Sequence, residues 1–265
     1  MPPSVTFLKF KDTLASTRYR ASIPEKHLLM NGFQNGNDIF ICSKHGWPDE
    51  LAKGYKRIVF DVCDDHFLTR HEPHYREWCK RADLITVNSK VMQEIVSRET
   101  GRDAILIPDP YEQPEKRPRV HEKLLWYGHA TNLGDLERIL PTLEGHEVEV
   151  VSNFPGMIQW TPENMRAAFT RAGLVIIPTG KSMAKSGNRA IEAIRRGLFP
   201  IANPLPAYND LGIWTGDIRE GVDWALSHKG EVMKRIFSIQ EYVRNEYSPH
   251  RIGKMWEAAL NSLGL

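Results

Sequence analysis

Short runs of apolar, mostly β-branched residues alternate with stretches whose apolar positions recur every three or four residues, almost from one end of the chain to the other. The short runs predict strands at 5–8, 38–42, 57–62, 84–87 and 104–107, then at 124–127, 148–151, 174–177 and 199–202. The longer stretches predict helices at 24–30, 73–81, 90–99, 135–143, 162–172 and 187–196. Strands fed by helices in this way build parallel sheets covered on both faces. Between Pro108 and Glu122 the alternation stops in Pro-Asp-Pro-Tyr-Glu-Gln-Pro-Glu-Lys-Arg-Pro-Arg, whose prolines remove backbone donors and exclude regular structure. This linker divides five strands from four. The expected fold class is therefore α/β, with two Rossmann-like parallel-sheet domains facing a cleft, at 1–113 and 121–248. After Asp217 the pattern is helical to the end. Ile252, Met255, Trp256, Ala259 and Leu260 share one face of a last helix in 249–265, expected to pack back on the first domain.

Composition narrows the class without naming a chemistry. With 265 residues, 41% hydrophobic and 26% charged, the chain is long enough for two modest cores. No stretch approaches the roughly 18 apolar residues of a membrane span, and Met1-Pro2-Pro3-Ser4 leads straight into a strand, so a cytoplasmic protein is expected. Cys42, Cys63 and Cys79 are odd in number and not closely paired, which points to buried thiols rather than a disulfide framework or a zinc site. A net charge of +2 neither demands nor excludes an anionic partner. A monomer or weak dimer is expected.

In open parallel sheets, ligands sit beyond the carboxyl ends of the strands, so the residues that follow strands carry the candidate chemistry. The strand ending near Pro178 runs through a turn into a helix that opens with Lys185, Ser186, Gly187, Asn188 and Arg189. A helix start directs free N–H groups and a partial positive charge at one spot, which suits a phosphate, and Lys185 and Arg189 add full charges there. Glu192 lies four residues after Asn188 on the same face and can accept bonds from sugar hydroxyls. Cations for a diphosphate beside a carboxylate for a diol suggest a nucleoside diphosphate ligand; a helix with solvated charges gives the same spacing. After the first strand of the second domain come Gly128 and His129, where the glycine admits close approach and the histidine can hydrogen-bond a ligand or cap the next turn.

In the first domain the segment 16–24 reads as a polar loop, in which Arg18 and Arg20 can reach a phosphate or an acceptor. The strand at 57–62 ends in Asp61-Val62-Cys63-Asp64-Asp65-His66. Like charges this close shift one another's pKa, so Asp64, Asp65 or His66 can serve as a proton acceptor; a turn with capping aspartates is the plainer reading. No second acidic cluster completes a metal shell.

The ordered set Tyr19-Arg20, Asp61-Val62-Cys63-Asp64, 82–89, Pro108-Asp109-Pro110-Tyr111, Leu125-Trp126-Tyr127-Gly128-His129 and Ser186-Gly187-Asn188-Arg189 through Glu192 resembles the GT-B glycosyltransferases, most closely their retaining, nucleotide-sugar-dependent branch. The resemblance spans most of the chain. It implies transfer of a sugar from a nucleoside diphosphate sugar, a UDP-sugar being the expected donor, with no permanently bound cofactor and no metal. By position it implies Lys185, Ser186, Gly187, Asn188 and Arg189 at the diphosphate and Glu192 at the ribose. From their places after strands, Gly128 and His129 are expected beside the donor, and Arg20, Asp64, Asp65 and His66 are expected to present or deprotonate the acceptor. Ala184 stands where the family often has a first glutamate, eight residues before Glu192, and Lys181 joins Lys185 and Arg189 as a charge for the diphosphate. The acceptor hydroxyl belongs to a small molecule, a glycan or a hydroxymethylated base in DNA. Lys9, Lys11, Arg18, Arg20, Lys53, Lys56 and Arg57 are the cations expected to grip DNA phosphates. A sugar-nucleotide epimerase or hydrolase, or a catalytically silent nucleotide-binding module, uses the same donor site.

Overall fold

The computed structural model describes residues 3–43, 49–180 and 182–264. The first sheet contains β1 (Ser4–Phe7), β2 (Gln34–Asn35), β3 (Ile39–Ser43), β4 (Arg57–Val62), β5 (Leu84–Val87) and β6 (Ile105–Leu106), in the spatial order β2-β1-β3-β4-β5-β6. The second contains β7 (Leu124–Gly128), β8 (Val148–Ser152), β9 (Ile158–Gln159), β10 (Leu174–Ile177), β11 (Phe199–Ala202) and β12 (Trp214–Thr215), in the order β12-β11-β10-β7-β8-β9. Their ladders are parallel throughout. The helices are α1 (Ala15–Thr17), α2 (Ile23–Met30), α3 (Asp49–Ala52), α4 (Glu72–Arg81), α5 (Lys90–Thr100), α6 (Leu133–Ile139), α7 (Pro162–Arg171), α8 (Asn188–Arg195), α9 (Ile218–Ser227), α10 (Lys229–Glu246) and α11 (Pro249–Asn261).

Every expected strand is present, and β2, β9 and β12 extend the sheets by two-residue edges that carry no periodic signal. The expected helix 135–143 ends as α6 and continues as a 3₁₀ turn, Leu140–Leu143, because Pro141 has no N–H for the α-helical ladder. The segment expected as a polar loop at 16–24 is instead helical: α1, a π-helical turn at Arg18–Ser22, and then α2. This turn buries Tyr19, Arg20 and Ala21.

The chain divides into two compact units. Unit 1 is Met1–Pro110, Ala184–Ser186 and Glu246–Leu265; unit 2 is Tyr111–Met183 and Gly187–Asn245. Residues 114–120, which the expected domain ranges leave between the two domains, belong to unit 2. Prolines bar them from a helix or strand, yet the remaining N–H groups find carbonyls at the end of α8, Lys116 on Arg195 at 2.8 Å and Arg119 on Gly197 at 3.0 Å. The Arg119 guanidinium donates to the carbonyls of Ala172, Arg196 and Phe169, closing off the end of α7.

Within unit 1 the strands alternate between two cores. Phe40, Cys42, Phe60 and Val62 face one side with Tyr75, Trp78 and Met92. Ile39, Ile41 and Val59 face the other with Leu28, Ile252 and Trp256. The last helix, α11, therefore packs in unit 1. Its contact with α2 is close: a Cβ on Gly253 would overlap the His27 ring, so only glycine fits there. Unit 2 is built on Leu124, Trp126, Leu174, Ile176, Phe199 and Ile201.

Candidate nucleotide site

In the second sheet the strands before β10 add toward one edge and those after it toward the other, so the order reverses between β7 and β10. The carboxyl ends of these two strands form the switch-point crevice, where open α/β sheets bind ligands. Gly128 ends β7, and the chain leaving β10 leads into α8. A Cβ on Gly128 would lie 3.1–3.2 Å from the Trp126 ring and 3.7 Å from Nη1 of Arg189. Glycine therefore keeps the crevice floor open beside that guanidinium. Nη1 of Arg189 is buried and has no hydrogen-bond partner among the described residues. An anionic oxygen there would satisfy a donor that otherwise bears the full penalty of desolvation.

The first turn of α8 is held in place by its neighbours. The Tyr127 hydroxyl donates to the Arg189 carbonyl at 2.6 Å, joining the end of β7 to the helix start. Burial raises the Tyr127 and Tyr208 hydroxyls above the ordinary phenol range, and the Arg189 charge opposes that rise in both. Gly187 occupies the N-cap with no side-chain cap bond, and no acidic residue sits in the first turn, so the positive end of the helix dipole is not neutralised locally. Asp135 accepts from the Gly180 N–H at 2.9 Å and Asn203 from the Thr179 N–H at 3.1 Å, which orients the chain as it leaves β10. His129 caps a 3₁₀ turn, its Nδ1 accepting from the Thr131 N–H at 3.3 Å, and the Ala130 N–H donates to Asn153 at 2.7 Å.

The structure thus brings Gly128, Gly187, Asn188 and Arg189 together in unit 2 and leaves His129 exposed at the rim. Ala184, Lys185 and Ser186 pack with unit 1, where Ala184 joins the apolar core and the Ser186 hydroxyl bonds Asp109. Lys181 lies outside the described residues. Glu192, expected at a ribose, is 4% exposed, and its two oxygens accept the N–H groups of Glu112 at 2.5 Å and Gln113 at 3.0 Å. The helical spacing that placed it beside Asn188 could not show that the connecting chain runs over this turn of α8.

Unit 1 sorts the expected acceptor residues in a similar way. Arg20, expected to reach a substrate, is 2% exposed and holds Asp61 through Nε at 3.0 Å and through Nη2. Its Nη1 donates to the Ile107 carbonyl and lies 3.4 Å from Asp109, and its guanidinium covers Trp256 at 5.3 Å. The π-helical turn carries it inward, into a core ion cluster. Asp61 also accepts from the Thr86 hydroxyl at 2.7 Å, so it does not belong to the outward group with Asp64 and Asp65. Burial pushes the Asp109 carboxyl above its usual range against the pull of Arg20. Asp64, Asp65 and His66 are half-buried in the loop after β4. Asp65 accepts from the Phe67 N–H at 3.2 Å, and the His66 ring meets Tyr75 edge-on at 5.0 Å. The core roles of Asp61 and Asp109 had one sequence signal, an aspartate inside the otherwise apolar run Ile58-Val59-Phe60-Asp61-Val62. Of the cations expected to grip DNA, Lys9 pairs with Glu25, Lys56 with Asp38 and Arg57 with Asp83, and Arg20 is buried. Among the described residues no group of three His, Cys, Asp or Glu is arranged to hold a metal ion, and no helix is long and apolar enough to cross a membrane.

No family model matches the chain, and no curated protein matches it in sequence. Solved structures share its architecture. HepE of Anabaena, in complex with UDP-glucose, aligns with a TM-score of 0.71 at 11% identity over 98% of this chain and 99% of that one. The chain has the GT-B fold, two Rossmann-like α/β domains. An alpha-glucosyltransferase in complex with UDP and a 13-mer DNA containing an HMU base aligns at 0.52 with 9% identity, over 99% of each chain. TarM of S. aureus aligns at 0.61 with 11% identity over 86% of this chain, which spans only 55% of TarM's length.

Proposed function

We propose that the protein is a glycosyltransferase that moves a sugar from a nucleoside diphosphate sugar, with UDP as the nucleotide, to an acceptor hydroxyl. The observation that carries this reading is the buried, unpartnered Arg189 Nη1 beside Gly128 at the switch point of the second sheet. The bound UDP-glucose of HepE supports the choice of donor class. As the bond from the anomeric carbon to the diphosphate oxygen breaks, negative charge grows on the leaving group. Arg189 and the uncapped start of α8 oppose it with charges already oriented before reaction. The acceptor oxygen forms the new bond, and its proton passes to the departing diphosphate.

The test is release of UDP from UDP-glucose, followed with and without a panel of acceptors. Release that requires an acceptor is the expected result. Free glucose or an epimer from donor alone identifies a hydrolase or epimerase instead, and nucleotide binding without turnover of any donor identifies a silent binding module.

A hydroxymethylated base in DNA is the second acceptor reading, favoured by the end-to-end likeness to the glucosyltransferase crystallised with DNA. The pairing of Lys9, Lys56 and Arg57 with acids reduces the positive field available to phosphates, which weighs against it. Transfer of label to hydroxymethylated but not unmodified duplex supports this acceptor, and no transfer to either removes it.

A further inference from the structure

Residues 229–245 of α10 belong to unit 2, and Val232 and Ile236 enter its core from one side of the helix. On the opposite side Gly230, Met233, Lys234, Phe237, Glu241 and Asn245 are exposed and recur at three- and four-residue spacing. Phe237 is 72% exposed and Met233, one turn before it, is 40% exposed, so two large apolar side chains adjoin on a face that turns away from the core. The charges around them differ in their engagements. Glu231 pairs with Arg235 inside the helix, and both oxygens of Glu115 accept from Arg244. Lys234 and Glu241, by contrast, have no ion-pair partner among the described residues. Seven residues apart, they are separated by about 10 Å along the helix axis, too far to pair within one chain.

A second copy of the helix supplies the missing partner to each. In two α10 helices that run antiparallel about a twofold axis beside Phe237, a residue before the axis faces one that lies equally far after it. Lys234 of one copy then meets Glu241 of the other, the pair forms twice, and the two Phe237 rings meet at the axis. In a parallel pair the same residues would place lysine against lysine and glutamate against glutamate, which is repulsive. Gly230, where an added Cβ would find nothing within 4 Å, keeps the end of the seam low enough for close approach. We propose that this face of α10 is a self-association surface, through which two copies of the chain form an antiparallel, twofold dimer. Apolar contact at Phe237 and Met233 supplies the attraction, and Lys234 with Glu241 sets the orientation. A helix pair of this length buries less than the roughly 1,200 Å² at which stable interfaces begin, so the association is weak. It is independent of the proposed transfer reaction, since no residue placed in the nucleotide site lies on α10.

Sedimentation velocity of the full chain, from roughly 1 µM to roughly 1 mM, tests the surface by mass action. Four variants accompany the wild type: Phe237→Ser, Lys234→Glu, Glu241→Lys, and the last two combined. All three positions are exposed, so each variant should keep the melting temperature of the wild-type monomer, which is measured alongside. The wild type should show a reversible monomer–dimer equilibrium. Phe237→Ser and either single charge reversal should weaken it at least tenfold, and the double reversal should return it to within threefold of wild type. An equimolar mixture of Lys234→Glu and Glu241→Lys chains should associate as the wild type does, because antiparallel pairing sets opposite charges against each other again. A wild type that stays monomeric throughout overturns the proposal, and so does a dimer that none of the single changes weakens, which would use another face. Single reversals that weaken the dimer without rescue in the double variant or in the mixture overturn the antiparallel arrangement.

Discussion

At the scale of single residues, the most informative group is the ion cluster of Arg20, Asp61 and Asp109, in which one guanidinium serves two buried carboxylates. The two acids differ in their partners. Asp61 takes a bidentate hold from Arg20 and a third bond from Thr86, whereas Asp109 is 3.4 Å from Arg20 and its carboxyl is pushed upward by burial. Asp61→Asn should therefore cost about 3–5 kcal/mol, since it leaves a buried arginine without its main counter-charge. Asp109→Asn should change stability by less than about 1 kcal/mol, because the isosteric amide still accepts from Ser186 and removes an excess buried charge. The pH dependence has a definite sign. An acid whose folded pKa is raised binds its proton more tightly when folded, so its contribution is complete below the ordinary carboxylate value of about 3.9 and is lost as pH rises through the folded value. Urea titrations should thus show Asp109→Asn gaining on wild type as pH climbs from the acid range to neutral. A loss of several kcal/mol at neutral pH would contradict this.

At the scale of elements, the eight strands of four to six residues were legible because apolar, largely β-branched runs are what strands of a covered parallel sheet require, and the two-residue β6 was legible inside the apolar run 104–107. The edges β2, β9 and β12 were not, since two residues cannot display a period. The helical turn at 18–22 was hidden for a different reason: Arg18 and Arg20 mark a segment as solvated unless a buried partner for one of them is known, and Asp61 is 41 residues away. The junction of α2 with α11 offers an element-level test. His27 packs against Gly253, with His250, Lys254 and Glu257 around it on α11. Burial, followed by the neighbouring His250 and Lys254, lowers the His27 pKa, and Glu257 opposes the shift. A base with a lowered folded pKa contributes fully above the ordinary imidazole value of about 6.5, and the contribution is lost as pH falls through the folded value. The melting temperature should therefore fall between pH 7 and pH 5.5, and His27→Gln should flatten that slope. Gly253→Ala should cost about 1–3 kcal/mol at either pH, because the added methyl group has to displace the imidazole or spread the helices.

At the scale of the whole molecule, the alternation of strands and helices around a proline-rich break announced two parallel-sheet units, and the strand order then located a crevice that no local motif could define. Gly128 and Arg189, 61 residues apart in sequence, meet there because β7 and β10 are neighbours. The expected site separated where packing overrode linear proximity: Lys185 and Ser186 fold with one unit, Gly187 to Arg189 with the other, and Glu192 turns toward the connector. The central claim is that a nucleoside diphosphate docks on Arg189 at this switch point. Calorimetric titration of UDP into wild-type protein and into Arg189→Ala tests it most directly. One saturable site in the wild type, weakened at least tenfold in the variant with its melting temperature preserved, is the predicted outcome; equal affinity in both proteins, or no binding by the wild type, would contradict the account.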